Sequence, residues 1–266
     1  MRRAHIRNSR RDEQVRARRA FTLLDLIVSI AVITLLVSLL LPSLSFVAES
    51  GRRVVCQSNL RQVGIGLLGY AEDNKGLLAP SVYLQNGPGR SSFEPQSMIA
   101  LRVPPERQTF DTTWDGLGLL YKAEIVDEPK VFYCPSHQGG YRFNDQADAW
   151  RAPEGEIVGN FQYRGQGPAT NRRANGVTPM TRFLAEIDPA QSSLISDGLR
   201  SRIEFNHTQG ANFFRADMTI RWFNDRGQRL FSRLSHDKDE AQASVIQDAW
   251  DRMDRASQST TVEQDE

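Results

Sequence analysis

The sequence predicts an α+β chain: one long N-terminal helix, apolar in its first half, packed in its second half on a small, mostly antiparallel β-sheet head. Three observations carry that prediction. Residues 26–41 form a run of sixteen without a charge, interrupted only by Ser29, Thr34 and Ser38. Helical periodicity then continues downstream, and the later chain shows short alternating segments punctuated by turn residues.

With Phe21–Asp25 before it and Pro42–Val47 after it, the apolar run reaches roughly 20 residues or more, enough to cross about 30 Å of hydrocarbon. A secretory signal has a shorter core followed by a small-residue cleavage site. The candidate site here, Phe46-Val47-Ala48, has a bulky Phe where a small residue is needed. The same gap weakens a twin-arginine reading of "RRAF". Residues 1–20 carry eight Arg against Asp12 and Glu13, a charge of +6, and the remainder carries 25 basic and 30 acidic residues. A basic head on an acidic body argues against nucleic-acid binding and suits an orientation signal that stays cytoplasmic.

Past Pro42 the apolar positions Val47, Gly51 and Val54, then Cys56, Leu60, Val63, Leu67 and Tyr70, keep helical spacing. "DNKG" at 73–76 supplies the stop. The expectation is one helix from Phe21 to Ala71, about 75 Å long at 1.5 Å per residue. In the head, "KVFYC" (130–134) and "SSLISD" (192–197) read as strands, and "ANFFRA" with "TIRWF" as a hairpin, followed by the "NDRG" turn and "QRLFS". Segments 84–115 and 136–180 read as long connections. The acidic tail from 235 holds a candidate helix over roughly 239–255 with an apolar face of Val245, Ile246, Ala249, Trp250 and Met253, expected to cover the head; "SQSTTVEQDE" reads as disordered. The predicted divisions are 1–20, 21–46, 47–75, 76–234 and 235–266.

Two cysteines, Cys56 and Cys134, are too few for a disulfide scaffold or a four-cysteine zinc site. An exporting compartment permits one bridge between them; two free buried thiols are the alternative. No metalloprotease, nucleophile-elbow, P-loop or dinucleotide motif occurs, and the clustered glycines of "GIGLLGY" continue a helix. "HDKDE" (236–240) reads as a solvated helix start rather than a metal site. His207 and Asp217 are weighed as a catalytic or metal pair and read as structural groups at hairpin edges. Phe213, Phe214, Trp222 and Phe223 read as strand core rather than a carbohydrate platform. No enzyme activity, cofactor or metal is expected.

Asp25 is the anomaly of the apolar run, because a carboxylate inside a membrane helix costs about 2.5–3.5 kcal/mol and calls for a partner or a role. Locally, Thr22 and Asp25 have capping-box spacing. The wider arrangement, a basic leader, Ala20, then "FTLLD" and a long apolar helix, resembles the prepilin signal of type IV pilins and type II secretion pseudopilins. The resemblance implies cleavage between Ala20 and Phe21 by a prepilin peptidase and N-methylation of Phe21. It also implies a register-setting role for Asp25 through the new amino terminus, and a helix-loosening role for Pro42. Ala20 stands where Gly is usual and Asp25 where Glu is usual. "CQSNLRQ" (56–62), "CPS" (134–136) and "HTQGANFFRAD" (207–217) resemble a planctomycete-type group of pilin-like proteins with an H-x9-D-G box; Met218 stands in place of its Gly, so a different or looser turn is expected at 215–218. The likeness is weak over 81–118 and ends near 232. It implies a pilin-like fold, a single-pass inner-membrane subunit with a cytoplasmic N-terminus and an exported head. Its partners would be the peptidase, other pilin-like subunits and a pilus or secretion machine. The alternative is an unprocessed membrane-anchored protein whose head binds carbohydrate or protein.

Overall fold

The computed structural model describes residues 22–87, 90–108, 112–171, 178–207, 209–236 and 243–256, without the side chains of 42, 43, 45 and 85–93. The first element, α1 (Leu23–Asp73), is 51 residues long. It is followed by the hairpin β1 (Leu84–Gly87) and β2 (Arg90–Phe93), β3 (Ala100–Arg102), α2 (Gly118–Lys122) and α3 (Phe143–Arg151). Then come β4 (Ile157–Val158), β5 (Phe161–Tyr163), β6 (Gly167–Pro168), β7 (Met180–Thr181), β8 (Ser193–Asp197), β9 (Gly210–Arg215), β10 (Ile220–Asn224) and α4 (Ala243–Ala256). The chain is α+β, and every strand pairing among the described residues is antiparallel. It divides into two compact units, one through Val47 and one from Ala48.

In the first unit the helix is apolar on all sides. Its most apolar 18-residue window has a mean hydropathy of 2.7, and it is the one helix among the described residues long and apolar enough to cross a membrane. Among the described residues, the large apolar side chains from Leu23 to Val47 are 46–75% exposed. The helix runs through Pro42.

The second unit is organised around the sheet β10-β9-β8-β5. Strand alternation sends neighbouring side chains to opposite faces, and β9 uses both. Phe214 joins the main core with Cys56, Leu60, Val63, Leu67 and Ala71 of α1, whose spacing is one helix stripe. Phe213 and Ala211 join a second core with Val245, Ile246, Ala249, Trp250 and Met253 of α4. The upstream continuation of the α1 stripe is not buried, with Val54 64% exposed. Gly64 explains how α1 approaches the sheet so closely: an added Cβ would meet the Phe214 ring at 2.4 Å.

The tail helix is part of this unit rather than an appendage. Asp254 accepts from the backbone N–H of Ser193 at 2.8 Å and from Arg164 at 2.7 Å, fastening α4 to β8. "KVFYC" is not a strand. Pro129 opens a 3-10 turn over Pro129–Phe132, and the Glu128 side chain caps it by accepting from Lys130 N. Its apolar alternation instead serves a short helix edge, with Val131 and Phe132 buried. "QRLFS" likewise falls in 3-10 turns (Arg226–Gln228 and Phe231–Arg233). The long connections contain β1–β6 and α3, which local composition concealed.

The β9–β10 turn also differs from expectation. Met218 N donates to Arg215 O and Arg215 N donates to Thr219 O, both at 3.0 Å, closing a tight three-residue loop. Met218 occupies its left-handed position with φ +64°. The turn that favours glycine is thus retained with a side chain in place, at a cost of about 1–2 kcal/mol.

Met218 is 58% exposed, so Met218→Gly relieves the backbone without opening a core, and should stabilise the protein by about 1 kcal/mol in denaturant unfolding. A destabilisation would refute the strain. Asp115 is 1% exposed and accepts from Ser81 Oγ and Val82 N, each at 2.7 Å. Burial nevertheless pushes its carboxyl up to about 6. Its folded pKa lies above the unfolded one, so its favourable contribution is complete below about pH 4 and is lost as pH rises through 6. A rise of that size corresponds to about 3 kcal/mol. Asp115→Asn should flatten the fall in stability between those pH values; identical slopes in both proteins would overturn the assignment.

Candidate functional site

Two places concentrate polar groups where apolar ones would be expected. At the start of α1, Thr22 N and Thr22 Oγ1 donate to Asp25 Oδ2 at 3.1 and 2.8 Å, and Asp25 N donates to Thr22 Oγ1 at 3.2 Å. This is a reciprocal capping box, satisfying donors that the first turn leaves without partners. Ala20 and Phe21, the expected processing site, lie outside the described residues, as does most of "HDKDE".

The second place lies inside the head. Cys56 on α1, Cys134 after the 3-10 turn, Asp197 at the end of β8 and His207 ahead of β9 converge, with donor atoms all within 4.8 Å of one another. Their exposures are 0, 3, 0 and 4%. Asp197 is the centre. It accepts from Cys56 Sγ at 2.9 Å, from Asn212 N at 2.5 Å and from Asn212 Nδ2 at 3.0 Å, with His207 Nε2 3.5 Å away. Cys134 Sγ lies 3.6 Å from His207 Nε2. The other imidazole nitrogen, Nδ1, is 2.7 Å from Glu49, whose carboxylate also accepts from Ser136 Oγ at 2.9 Å. Trp222 meets His207 edge-on, and the Arg53 guanidinium stacks 3.3 Å over that indole.

Electrostatics differentiate these groups. Burial pushes Asp197 up, against the His207 charge and its hydrogen bonds. Burial alone would lower His207, but the hydrogen bond to Cys134 and the charge of Asp197 reverse that and raise it to about 9. Burial, Cys134 and Asp197 all raise Cys56, whereas Cys134 is lowered because its contacts with Cys56 and His207 outweigh burial. Cys134 is therefore the thiol that ionises more readily. Glu49 resists burial through His207, Ser136 and Arg52 and is lowered.

Of the residues singled out by sequence, Cys56, Cys134 and His207 come together, and both cysteines are free thiols. His207 and Asp217 do not pair. Asp217 holds its own turn, accepting from Thr219 N at 3.0 Å and pairing with Arg215. The carboxylates beside His207 are Glu49 at 2.7 Å and Asp197 at 3.5 Å, and sequence reasoning placed Asp197 only as a strand residue. A charge at the end of a five-residue strand buried throughout was the signal available. Phe213 and Phe214 are core, at 1 and 0% exposure. No protein-family model, curated protein or solved structure matches this chain.

The two carboxylates should separate in unfolding measurements. Asp197→Ala takes the acceptor from the Asn212 N–H and from the Cys56 thiol and should destabilise by about 3 kcal/mol, each orphaned group costing about 1–3. Asp217→Ala should cost about 1 kcal/mol. Equal losses would remove Asp197 from its central role.

Proposed function

We propose that this chain is a pilin-like, pseudopilin-class structural subunit. In this reading the Arg-rich leader stays cytoplasmic, a prepilin peptidase cuts between Ala20 and Phe21, and the head lies outside the inner membrane. The activity is assembly, not catalysis: α1 packs laterally against other subunits in a pilus or secretion pseudopilus. One observation carries the reading. A helix apolar on every side, with its large side chains from Leu23 to Val47 about half exposed or more, bears a lone acid in its first turn, in prepilin register with the basic leader.

The physical reason is charge pairing in a poor solvent. Cleavage creates an ammonium on Phe21, and a carboxylate one turn away can meet that charge from its own or a neighbouring subunit. A buried charge is tolerated when paired and costly when alone, so pairing rewards one axial register. The capping box supports this role, because it holds Asp25 at the helix start where the new terminus would stand.

Mass spectrometry of the full chain extracted from membranes tests the proposal. The expected terminus is N-methylated Phe21. An intact leader would replace the subunit with a membrane-anchored binding protein. In the processed protein, Asp25→Asn should leave cleavage unchanged and abolish incorporation into cross-linked multimers; unchanged incorporation would remove the register role.

A further inference from the structure

An assembly role for α1 leaves the buried head cluster without a purpose. Two sulfurs, an imidazole nitrogen and a carboxylate oxygen gathered within 4.8 Å are more than packing requires. We propose that Cys56, Cys134, Asp197 and His207 form a closed structural site for a zinc-class divalent metal ion, held through the two Sγ atoms, one Oδ and Nε2.

The donor set selects the ion. Thiolates with imidazole favour borderline-soft metals, whereas calcium and magnesium take oxygen ligands. Size agrees as well. A tetrahedral ion with bonds of about 2.0–2.3 Å holds its ligand atoms roughly 3.3–3.8 Å apart. The Cys134 Sγ–His207 Nε2 and His207 Nε2–Asp197 Oδ2 separations, 3.6 and 3.5 Å, already have that length. The Cys56 Sγ–Asp197 Oδ1 separation is shorter, 2.9 Å, because a thiol proton lies between them. An ion in that proton's place moves the pair apart. The displaced thiol protons, and the Nε2 proton when His207 carries one, pass to solvent.

The surrounding shell is built for ligation. Glu49 at 2.7 Å accepts a hydrogen bond from Nδ1–H and leaves Nε2 facing inward, the carboxylate–histidine arrangement that orients metal-binding imidazoles. Asn212 fixes the Asp197 carboxylate through its backbone N–H, and Gln57 holds Asn212 in turn at 2.9 Å. Two thiolates and a carboxylate exceed the charge of the ion, and Arg53, which feels the Asp197 charge, offsets the excess. With no ligand more than 4% exposed, no coordination position opens to a substrate. The ion would fasten α1 to β8, β9 and the Cys134 segment. Of the four residues, Cys134 alone borders a surface pocket, about 420 Å³ in volume.

The rival occupant of the two sulfurs is a disulfide, which would leave His207 and Asp197 unused. The full chain, extracted in detergent under anaerobic reducing conditions and dialysed without chelator, should contain about one zinc per chain by elemental analysis. Exchange for cobalt should give tetrahedral visible bands and thiolate-to-metal charge transfer. Cys56→Ser should lower that charge-transfer intensity by about half, and His207→Asn should weaken binding at least tenfold. Asp217→Asn, at a carboxylate outside the site, should retain full metal. The wild-type metal content decides the matter even if a ligand variant fails to fold. Metal below about a tenth of an equivalent after zinc or cobalt loading overturns the proposal. So does a Cys56–Cys134 cross-link in protein alkylated at harvest.

Discussion

A carboxylate with no exposed surface keeps its place only if donors surround it, and Asp197 draws them from three separate stretches of chain. Cys56 reaches it across 141 positions of sequence, Asn212 across 15, and His207 sits opposite at 3.5 Å. Each contact ties a different element to the end of β8. Removing the carboxylate would strand the Asn212 N–H and loosen α1 from the sheet at the same point. The ordering is therefore mutual: the sheet positions the acid, and the acid positions the helix and the His207 turn.

The sheet divides the head into two cores with different dependence on that centre. On one face, Phe214 meets α1, and Gly64 permits the approach. On the other, Phe213 meets α4, which owes nothing to the thiols or to His207. Its polar fastening is separate, through Asp254 to Ser193 N and Arg164. The acidic tail thus fastens through Asp254, with Asp251 also near Arg164 and Asp248 paired with Arg233, and the apolar stripe of α4 does the rest. Breaking the pair with Arg164, whose side chain is 5% exposed, would leave a buried cation with only the half-exposed Asp251 at 3.9 Å to offset it.

How much of this could be read from sequence depended on how local each signal is. The long helix, the β9–β10 hairpin and the tail helix announce themselves through periodicity, because burial on one face repeats every 3.6 or two residues. "KVFYC" misled because alternation over five residues cannot distinguish a strand from a short turn opened by Pro129 and capped by Glu128. The hairpin turn misled in the opposite sense: Met218 lacks glycine's freedom, yet flanking pairings hold it at φ +64°. Cys56, Cys134 and His207 were visible as chemically notable residues, but their convergence is a property of tertiary packing. The "HTQGANFFRAD" box read His207 and Asp217 as structural groups at hairpin edges, and only topology brings His207 to Asp197 on the adjacent strand.

The attachment of α1 to the head changes character along its length. From Leu60 onward the contact is apolar, through Leu60, Val63, Leu67 and Ala71, all at 0% exposure. Before Leu60 it is almost wholly polar: Glu49 to Ser136 and His207, Cys56 to Asp197, Gln57 to Asn212 and Asn59 to Tyr133 O. Apolar burial is insensitive to protons, thiol oxidation and ions, whereas the Glu49 and Cys56 contacts, made by a carboxylate and a thiol, respond to at least one of them. The two turns from Glu49 to Cys56 are accordingly the stretch of helix whose grip on the head is set by chemistry rather than by packing. A change of state at the cluster would therefore be felt first there, with the distal core left intact.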